Sequence, residues 1–311
     1  MGMLHLLIVT QGDAVQLNQT LSSLEGSRLP ANLAFVCVVD NGKRPHCRSM
    51  AALPRPDFDV LYQFLPGLSK AQAMNVALEA IPDESLIVVS SDEIRFHSET
   101  LLAYQQASRT AAPGEFFGGP FQCDYELQPP PWVIPYMPLA STGWQPTKDQ
   151  IEPTRTRFFG FNWAAFCHDI KRLGGFGLRP ESVPAIGSMR RQAGIQRRML
   201  ASGMRGRYVP ESIVSRFIPQ NRCTVDWTVD HARQDGIHRG ISRRDCAVAD
   251  IALHHWSNTV GLFASTAVKW VTGPRWANQL HFRARCRQQQ SIGYFHGFRG
   301  GVDASTFRKA S

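Results

Sequence analysis

Two adjacent acids, Asp92 and Glu93, follow a short apolar run that is rich in β-branched residues. The run, Leu86–Val89, predicts a buried strand, and Ser90 and Ser91 separate it from the acids. Ligands of open α/β sheets bind outside the carboxyl ends of the strands, and carboxylates there suit Mg²⁺ or Mn²⁺. The pair therefore has two interpretations: ligands of a divalent cation, or the N-cap of a following helix.

A third acid, Asp40, ends a second apolar run. Leu33–Val39 predicts a strand, and Asn41 and Gly42 after it indicate a turn. Asp40 is therefore either a turn-forming residue or a ligand-binding group at a strand end. Acids at the ends of two strands of one sheet would lie along the same edge, where a nucleotide would bind.

The first hundred residues alternate between strand and helix patterns about four times. Leu4–Thr10 and Val60–Phe64 predict further strands, Ala14–Leu24 has helical spacing, and Ser69 can cap a helix of small residues. This alternation predicts an α/β fold with a parallel, doubly wound sheet. The absence of GxGxxG after the first strand disfavours a dinucleotide site, and the absence of GxxxxGK[ST] excludes a P-loop.

Composition is that of a globular protein of 311 residues with a net charge of +9, which favours an anionic partner. The seven cysteines are scattered without a CxxC pair, and we interpret them as reduced cytosolic thiols. Met1–Thr10 lacks a basic start and a cleavage site, so we expect a strand there rather than a secretion signal. No apolar run is long enough to span a membrane. Together these features predict a cytoplasmic protein.

Three segments in this order resemble the GT-A nucleotide-sugar glycosyltransferases of family 2: VVDNG at 38–42, GLSKAQAMN at 67–75 and SSDE at 90–93. Similarity continues in Phe158–Phe166 and in Met199–Pro219. The resemblance implies a GT-A, Rossmann-like doubly wound mixed sheet with helices on both faces, followed by a helical C-terminal extension. It implies transfer of a sugar from a UDP-, GDP- or dTDP-sugar to a glycan or lipid-linked acceptor, as in bacterial surface polysaccharide or glycoconjugate synthesis.

The same resemblance assigns roles to residues. Asp92 or Glu93 would hold Mn²⁺ or Mg²⁺ on the diphosphate. Contacts to the acceptor or diphosphate would come from Trp132, Asn162, Arg198 and Arg216. The nucleotide would be contacted by Thr10, Asp40, Gly67, Lys70, Asn75, Ser91 and Asp92.

The chain departs from the family where catalysis is expected. Gln192, next to Arg191, stands at the position of the general base, and an amide cannot take a proton near pH 7. Arg216 stands where a metal-binding His is usual. Three alternatives follow: arginines replace the metal, another carboxylate is the base, or the protein only binds a nucleotide, glycan or partner. The candidate arginines are Arg190, Arg191, Arg197, Arg198 and Arg216, and the candidate bases are Asp124, Glu126, Asp149, Glu152 and Glu181.

We predict a transferase domain at 1–220, with a nucleotide-binding half (1–100) and an acceptor half (101–220), and a helical extension at 221–311 with a disordered tail. Trp227–Gly240 has helical spacing. We interpret His254 and His255 as ordinary histidines rather than as metal ligands. Trp276–Gln288 carries arginines and apolar residues, which indicates either contact with anionic lipid or packing on the core. Nucleic acid is not an expected partner, since no binding module is recognisable.

Overall fold

The computed structural model describes residues 2–177, 188–242, 256–267 and 274–299. Its first part alternates between strands and helices, as the sequence predicts. These elements are β1 (Leu4–Thr10), α1 (Ala14–Glu25), β2 (Leu33–Asp40), α2 (Arg48–Ala51), β3 (Val60–Phe64), α3 (Lys70–Glu79) and β4 (Leu86–Ser91). The predicted strands and helices of this part are therefore confirmed.

The next part of the chain has shorter strands and fewer helices. It contains β5 (Ile94–Phe96), α4 (Thr100–Arg109), β6 (Glu115–Gly118), β7 (Phe121–Tyr125), β8 (Trp163–Phe166), α5 (Cys167–Arg172), α6 (Ser188–Ala201), β9 (Arg205–Tyr208) and β10 (Val214–Ile218). Between β7 and β8 the chain forms three short 3₁₀ helices: Ile134–Tyr136, Leu139–Ser141 and Lys148–Gln150.

Seven strands form one mixed sheet in the order β3-β2-β1-β4-β8-β6-β9. The first four are parallel, β8 is antiparallel to both β4 and β6, and β9 is parallel to β6. A second sheet has the order β5-β10-β7. The predicted α/β fold with a mixed sheet is confirmed.

The helices that cover the sheet begin where their caps place them. Asp13 accepts a hydrogen bond from the Gln16 N–H at the start of α1, and Ser69 and Gln72 form a capping box at α3. Ala73, Met74, Ala77 and Leu78 of α3 belong to the main buried core with the sheet. Fully burying a large apolar side chain contributes about 1.5–3 kcal/mol, so this packing fixes where α3 begins relative to the strand ends.

The helix-cap interpretation of the SSDE segment is wrong. Asp92 and Glu93 form the turn that joins β4 to β5, and the chain continues as an extended strand rather than a helix. The short strand is held by β10, whose Val214–Arg216 pair with Ile94–Phe96.

The chain divides into two compact units, Met1–Asp124 with Gly143–Phe217, and Tyr125–Thr142 with Ile218–Ser311. The proline-rich segment 125–142 thus groups with the C-terminal residues, whereas the domains predicted from the sequence assigned it to the acceptor half. The predicted division at 220 stays a prediction.

The second unit contains α7 (Val225–Ser242), α8 (256–267) and α9 (Pro274–Arg299). Glycine allows α7 and α9 to approach closely, since a Cβ at Gly293 would lie 1.9 Å from the Arg233 carbonyl oxygen. None of the described helices combines the length and apolarity that crossing a bilayer requires. The predictions for His254, His255 and the C-terminal tail lie outside the described residues.

Candidate functional site

The carboxyl ends of β2, β1 and β4 lie side by side. Thr10 is the register partner of Asp40, and Val9 is the partner of Ser91. The Thr10 hydroxyl donates a 2.5 Å hydrogen bond to Asp92 Oδ2 and accepts one from the Gly12 N–H at 3.1 Å. The sheet register and the Thr10–Asp92 hydrogen bond therefore bring together four of the predicted nucleotide-binding residues: Thr10, Asp40, Ser91 and Asp92.

Asp92 is half-buried at this edge, and burial is the main reason that its pKa is raised to about 6. The Thr10 hydrogen bond and the nearby Lys70 oppose this rise, whereas the negative charges of Glu93 and Asp13 add to it. Ionising this carboxyl in the folded protein therefore costs free energy, which is typical of functional groups.

Asp40 has a different environment, because its side chain is fully buried. Its Oδ1 accepts a hydrogen bond from the Gly42 N–H at 2.8 Å, and its Oδ2 accepts one from the Tyr62 hydroxyl at 2.6 Å. A Cβ at Gly42 would lie 2.6 Å from the Gln11 carbonyl oxygen, so the turn also needs glycine there. These contacts favour the turn-forming interpretation of Asp40.

Glu93 and Arg216 form an ion pair, although the sequence placed them in separate roles. Arg216 lies on β10 opposite Ile94, and its Nη2 and Nε donate to Glu93 Oε2 at 2.8 and 3.3 Å. Only 13% of the Arg216 side chain and 22% of the Glu93 side chain are exposed. The guanidinium carbon also lies 4.9 Å from the centroid of the Phe161 ring, a cation–π distance.

Further polar groups lie in the loop before α3, in the turn after β2 and on β4. Gly67 has φ of +80°, which favours glycine, and Asn41 Nδ2 donates to the Leu68 carbonyl oxygen at 3.2 Å. Within the described part of the chain, the buried Asn41 Oδ1 and Ser90 Oγ have no hydrogen-bond partner. Such groups are uncommon in folded proteins and are candidates for ligand contact.

Arg95 was missed in the sequence analysis, although it follows the acids directly. Its Nη1 donates to Thr20 Oγ1 at 3.1 Å, and the Thr20 hydroxyl donates to the Asp92 carbonyl oxygen at 2.6 Å. Burial lowers the pKa of Arg95. A basic residue on the strand that follows the two acids was the available signal, and its role is to hold the turn that carries them.

Four predicted ligand residues are engaged elsewhere. Asn75 binds the backbone N–H and carbonyl of Phe176, at 2.7 and 3.0 Å. Asn162 is buried and binds Tyr104, Pro120 and Ser212. The remaining two are Arg198, which donates to the carbonyl oxygens of Leu173 and Gly175, and Trp132, which packs edge-on against Phe282 in the second unit. For all four, these contacts provide a structural role, and the predicted ligand roles stay predictions.

The position expected for the catalytic base is not described at side-chain level. Arg190, Arg191 and Gln192 lie in α6, but their side chains, like all of Glu181, fall outside the described residues. The other base candidates lie elsewhere: Asp124 is exposed on β7, Glu126 accepts from the Gln220 N–H, and Glu152 pairs with Arg155. A side-chain hydrogen bond with Thr147 lowers the pKa of Asp149, which makes it a weaker base.

A divalent cation has few ligands at this edge. Thr10 already donates to Asp92 Oδ2, and Arg216 holds Glu93 Oε2. Among the residues that the structure describes, no group of three His, Cys, Asp or Glu side chains could hold a metal ion. Hard cations require several oxygen ligands, so the described groups do not fit a cation held by the protein alone.

No protein-family model matches the chain, and no curated protein sequence is significantly similar to it. Among solved structures, the mannosyltransferase PcManGT from Pyrobaculum calidifontis, in complex with GDP-Man and Mn²⁺, is 19% identical. The alignment covers 96% of this chain and 88% of that chain, with a TM-score of 0.58. GalNAc-T7 with UDP, GalNAc and Mn²⁺ is 10% identical, covers 99% of this chain and 58% of that one, and has a TM-score of 0.47. The chain therefore has the fold of GT-A-type glycosyltransferases, and membership of family 2 stays a prediction.

Proposed function

We propose that this protein transfers a sugar from a nucleoside diphosphate donor to an acceptor hydroxyl. The observation that carries the proposal is the meeting of Thr10 and Asp92 with the Asp40 turn at the carboxyl edge of β2, β1 and β4. In a fold shared with a mannosyltransferase that binds GDP-Man, this edge is the expected donor site. Membership of family 2 belongs to the same proposal.

The donor diphosphate would be neutralised by cationic side chains. Lys70 lies close enough to Asp92 to interact with its charge, and Arg216 sits beside the same turn through Glu93. Guanidinium groups bind phosphate oxygens with two hydrogen bonds and stabilise a leaving diphosphate electrostatically. Arg216 would release Glu93 and bind the diphosphate instead. Asp92 and Thr10 would form hydrogen bonds with hydroxyl groups of the nucleotide sugar.

We propose that Mn²⁺ or Mg²⁺ is not required for donor binding, although the structural neighbours were solved with Mn²⁺. Calorimetry with UDP, GDP and dTDP, in EDTA and in Mn²⁺, tests this directly. We expect one nucleotide to bind with a similar Kd in both buffers. Binding that is at least tenfold tighter in Mn²⁺ would contradict cation independence and would leave the transferase proposal standing.

Arg216→Ala should weaken nucleotide binding 10- to 100-fold, the loss of about 1.5–3 kcal/mol expected for a hydrogen bond to a charged group. Arg207→Ala is a matched control, because Arg207 pairs with Glu115 at 3.6 Å on another part of the same unit. Equal affinities for both variants would argue against a role for Arg216 in binding.

The second candidate is a protein that binds nucleotide or glycan without catalysis, favoured by Gln192 at the expected base position. Slow hydrolysis of the matching nucleotide sugar separates the two candidates, since a working transferase releases free sugar and a binding protein does not.

Asp124 is the first alternative base to test, because it is exposed and interacts electrostatically with Arg95 beside the acid turn. Asp124→Asn should abolish transfer and leave nucleotide affinity unchanged.

The acceptor is proposed from the family resemblance alone. It would be a glycan or lipid-linked sugar in the synthesis of bacterial surface polysaccharide or glycoconjugates, presented at the cytoplasmic face of the membrane. Incubating the protein with its donor and a panel of polyprenyl-linked and free oligosaccharides tests this. Transfer only to a protein or small-molecule acceptor would contradict it.

A further inference from the structure

Helix α8 has its polar and apolar faces reversed relative to an ordinary surface helix. Polar side chains face α9: Asn258 Nδ2 donates to Ser291 Oγ at 2.5 Å, and Thr266 Oγ1 lies 3.3 Å from His281 Nδ1. Three of the large apolar side chains of α8 are instead exposed. Helices of globular proteins normally bury the apolar stripe and expose the polar one, so this arrangement calls for another apolar partner.

The exposed stripe consists of Trp256, Val260 and Phe263, spaced i, i+4 and i+7 on one face of the helix. These side chains are 66%, 46% and 72% exposed. Most other large exposed apolar residues in the described chain, such as Val15 and Leu139, do not form such a stripe. A contiguous apolar stripe marks an interaction surface, whereas single exposed residues do not.

The charge around this stripe identifies the partner. Residues 251–302 contain one lysine and five arginines and no aspartate or glutamate. On α9, Arg283 and Arg287 are exposed on the same face as Leu280, which is 52% exposed. A cationic helix with aromatic residues on one face is typical of helices that lie parallel to the surface of an anionic bilayer. The 12 residues of α8 span about 18 Å, too short for the hydrocarbon core of about 30 Å.

We propose that α8 binds the surface of an anionic lipid bilayer. Trp256, Val260 and Phe263 would insert at the boundary between headgroups and acyl chains, and Arg283 and Arg287 would contact lipid phosphates. This inference rests on the second unit and is independent of the function proposed for the first. It also selects lipid contact over core packing for the exposed arginines of α9.

Flotation of the full-length protein with vesicles tests the proposal, using phosphatidylcholine alone and with 30% phosphatidylglycerol. We expect binding to the anionic vesicles that weakens as NaCl is raised, and little binding to neutral ones. Trp256→Ser combined with Phe263→Ser should reduce binding at least tenfold, and Arg283→Gln and Arg287→Gln about fivefold each. Val15→Ser is the control, because Val15 is 65% exposed in the first unit.

Far-UV circular dichroism would verify that the serine variants remain folded, as expected for exposed positions. Absence of binding by the full-length protein, or equal binding by the Trp256→Ser, Phe263→Ser variant, would overturn the proposal. A dimer in sedimentation equilibrium that Phe263→Ser dissociates would also overturn it, because the stripe would then be an interface between copies of this chain.

Discussion

At the residue scale, Asp92 links the site to the stability of the fold. Its pKa of about 6 in the folded protein lies above the ordinary 3.8 because of burial, so the folded protein keeps this proton between pH 4 and 6 when the unfolded chain has released it. Stability contributed by this group is therefore present at low pH and lost as pH rises through that window. At about 1.4 kcal/mol per pKa unit, and allowing for partial exposure, the loss is roughly 2 kcal/mol.

Asp92→Asn removes this ionisation and keeps an acceptor for the Thr10 hydroxyl. We expect the variant to be more stable than the wild type by about 2 kcal/mol at pH 8, with the difference shrinking to roughly a third of that value at pH 4.5. Urea unfolding at both pH values measures it. Asp57→Asn, at an exposed bend between α2 and β3, should show no such gain. A constant difference between the two pH values would contradict the assigned cause.

The Glu93–Arg216 pair should contribute more to folding than an exposed ion pair. Its partners are largely buried and share two hydrogen bonds, whereas Arg28 and Glu99 are 73% and 45% exposed. A double-mutant cycle with Glu93→Gln and Arg216→Ala should give a coupling free energy of about 1–3 kcal/mol. The corresponding cycle at Arg28 and Glu99 should give less than about 1 kcal/mol. Equal couplings would show that burial does not strengthen the pair.

At the element scale, Asn75 connects α3 to the turn that follows α5. Its side chain binds both backbone groups of Phe176, and Gly175 beside it has φ of +74° with a Cβ position only 2.5 Å from Asn75 Oδ1. The shape of this junction therefore depends on an asparagine and a glycine together. The family resemblance implied a nucleotide contact for Asn75, and no local pattern could reveal its Phe176 partner, which lies 101 positions away.

Asn75→Ala should lower the free energy of unfolding by roughly 1–3 kcal/mol, since the backbone groups of Phe176 lose their partner. Val76→Ala on the same helix is the control, because Val76 is 37% exposed and should change stability little. Urea denaturation measures both variants. If Asn75→Ala instead abolished nucleotide binding at unchanged stability, the nucleotide role predicted from the sequence would be correct.

At the scale of the whole molecule, local patterns predicted the strands, the helices of the first hundred residues and the edge where Thr10 and Asp92 meet. Apolar periodicity and caps are properties of short segments, so they can be read without the fold. The Glu93–Arg216 pair could not be predicted, because it depends on the register of β5 with β10 across 123 positions. The structural contacts of Asn162 and Arg198 could not be predicted for the same reason, because their partners are distant backbone carbonyls and side chains.

The two units should respond to different ligands, and hydrogen exchange can separate the responses. A nucleotide that binds the folded first unit raises the free energy of opening its amides, so we expect slower exchange at Gly12, Gly42 and Phe217, whose N–H groups bond Thr10, Asp40 and Glu93. Amides of α7, α8 and α9 should be unchanged by nucleotide, whereas anionic vesicles should slow exchange in α8 and α9 and leave the first unit unchanged. Nucleotide protection confined to the second unit would contradict the proposed donor site, because the strand edge would then carry no ligand.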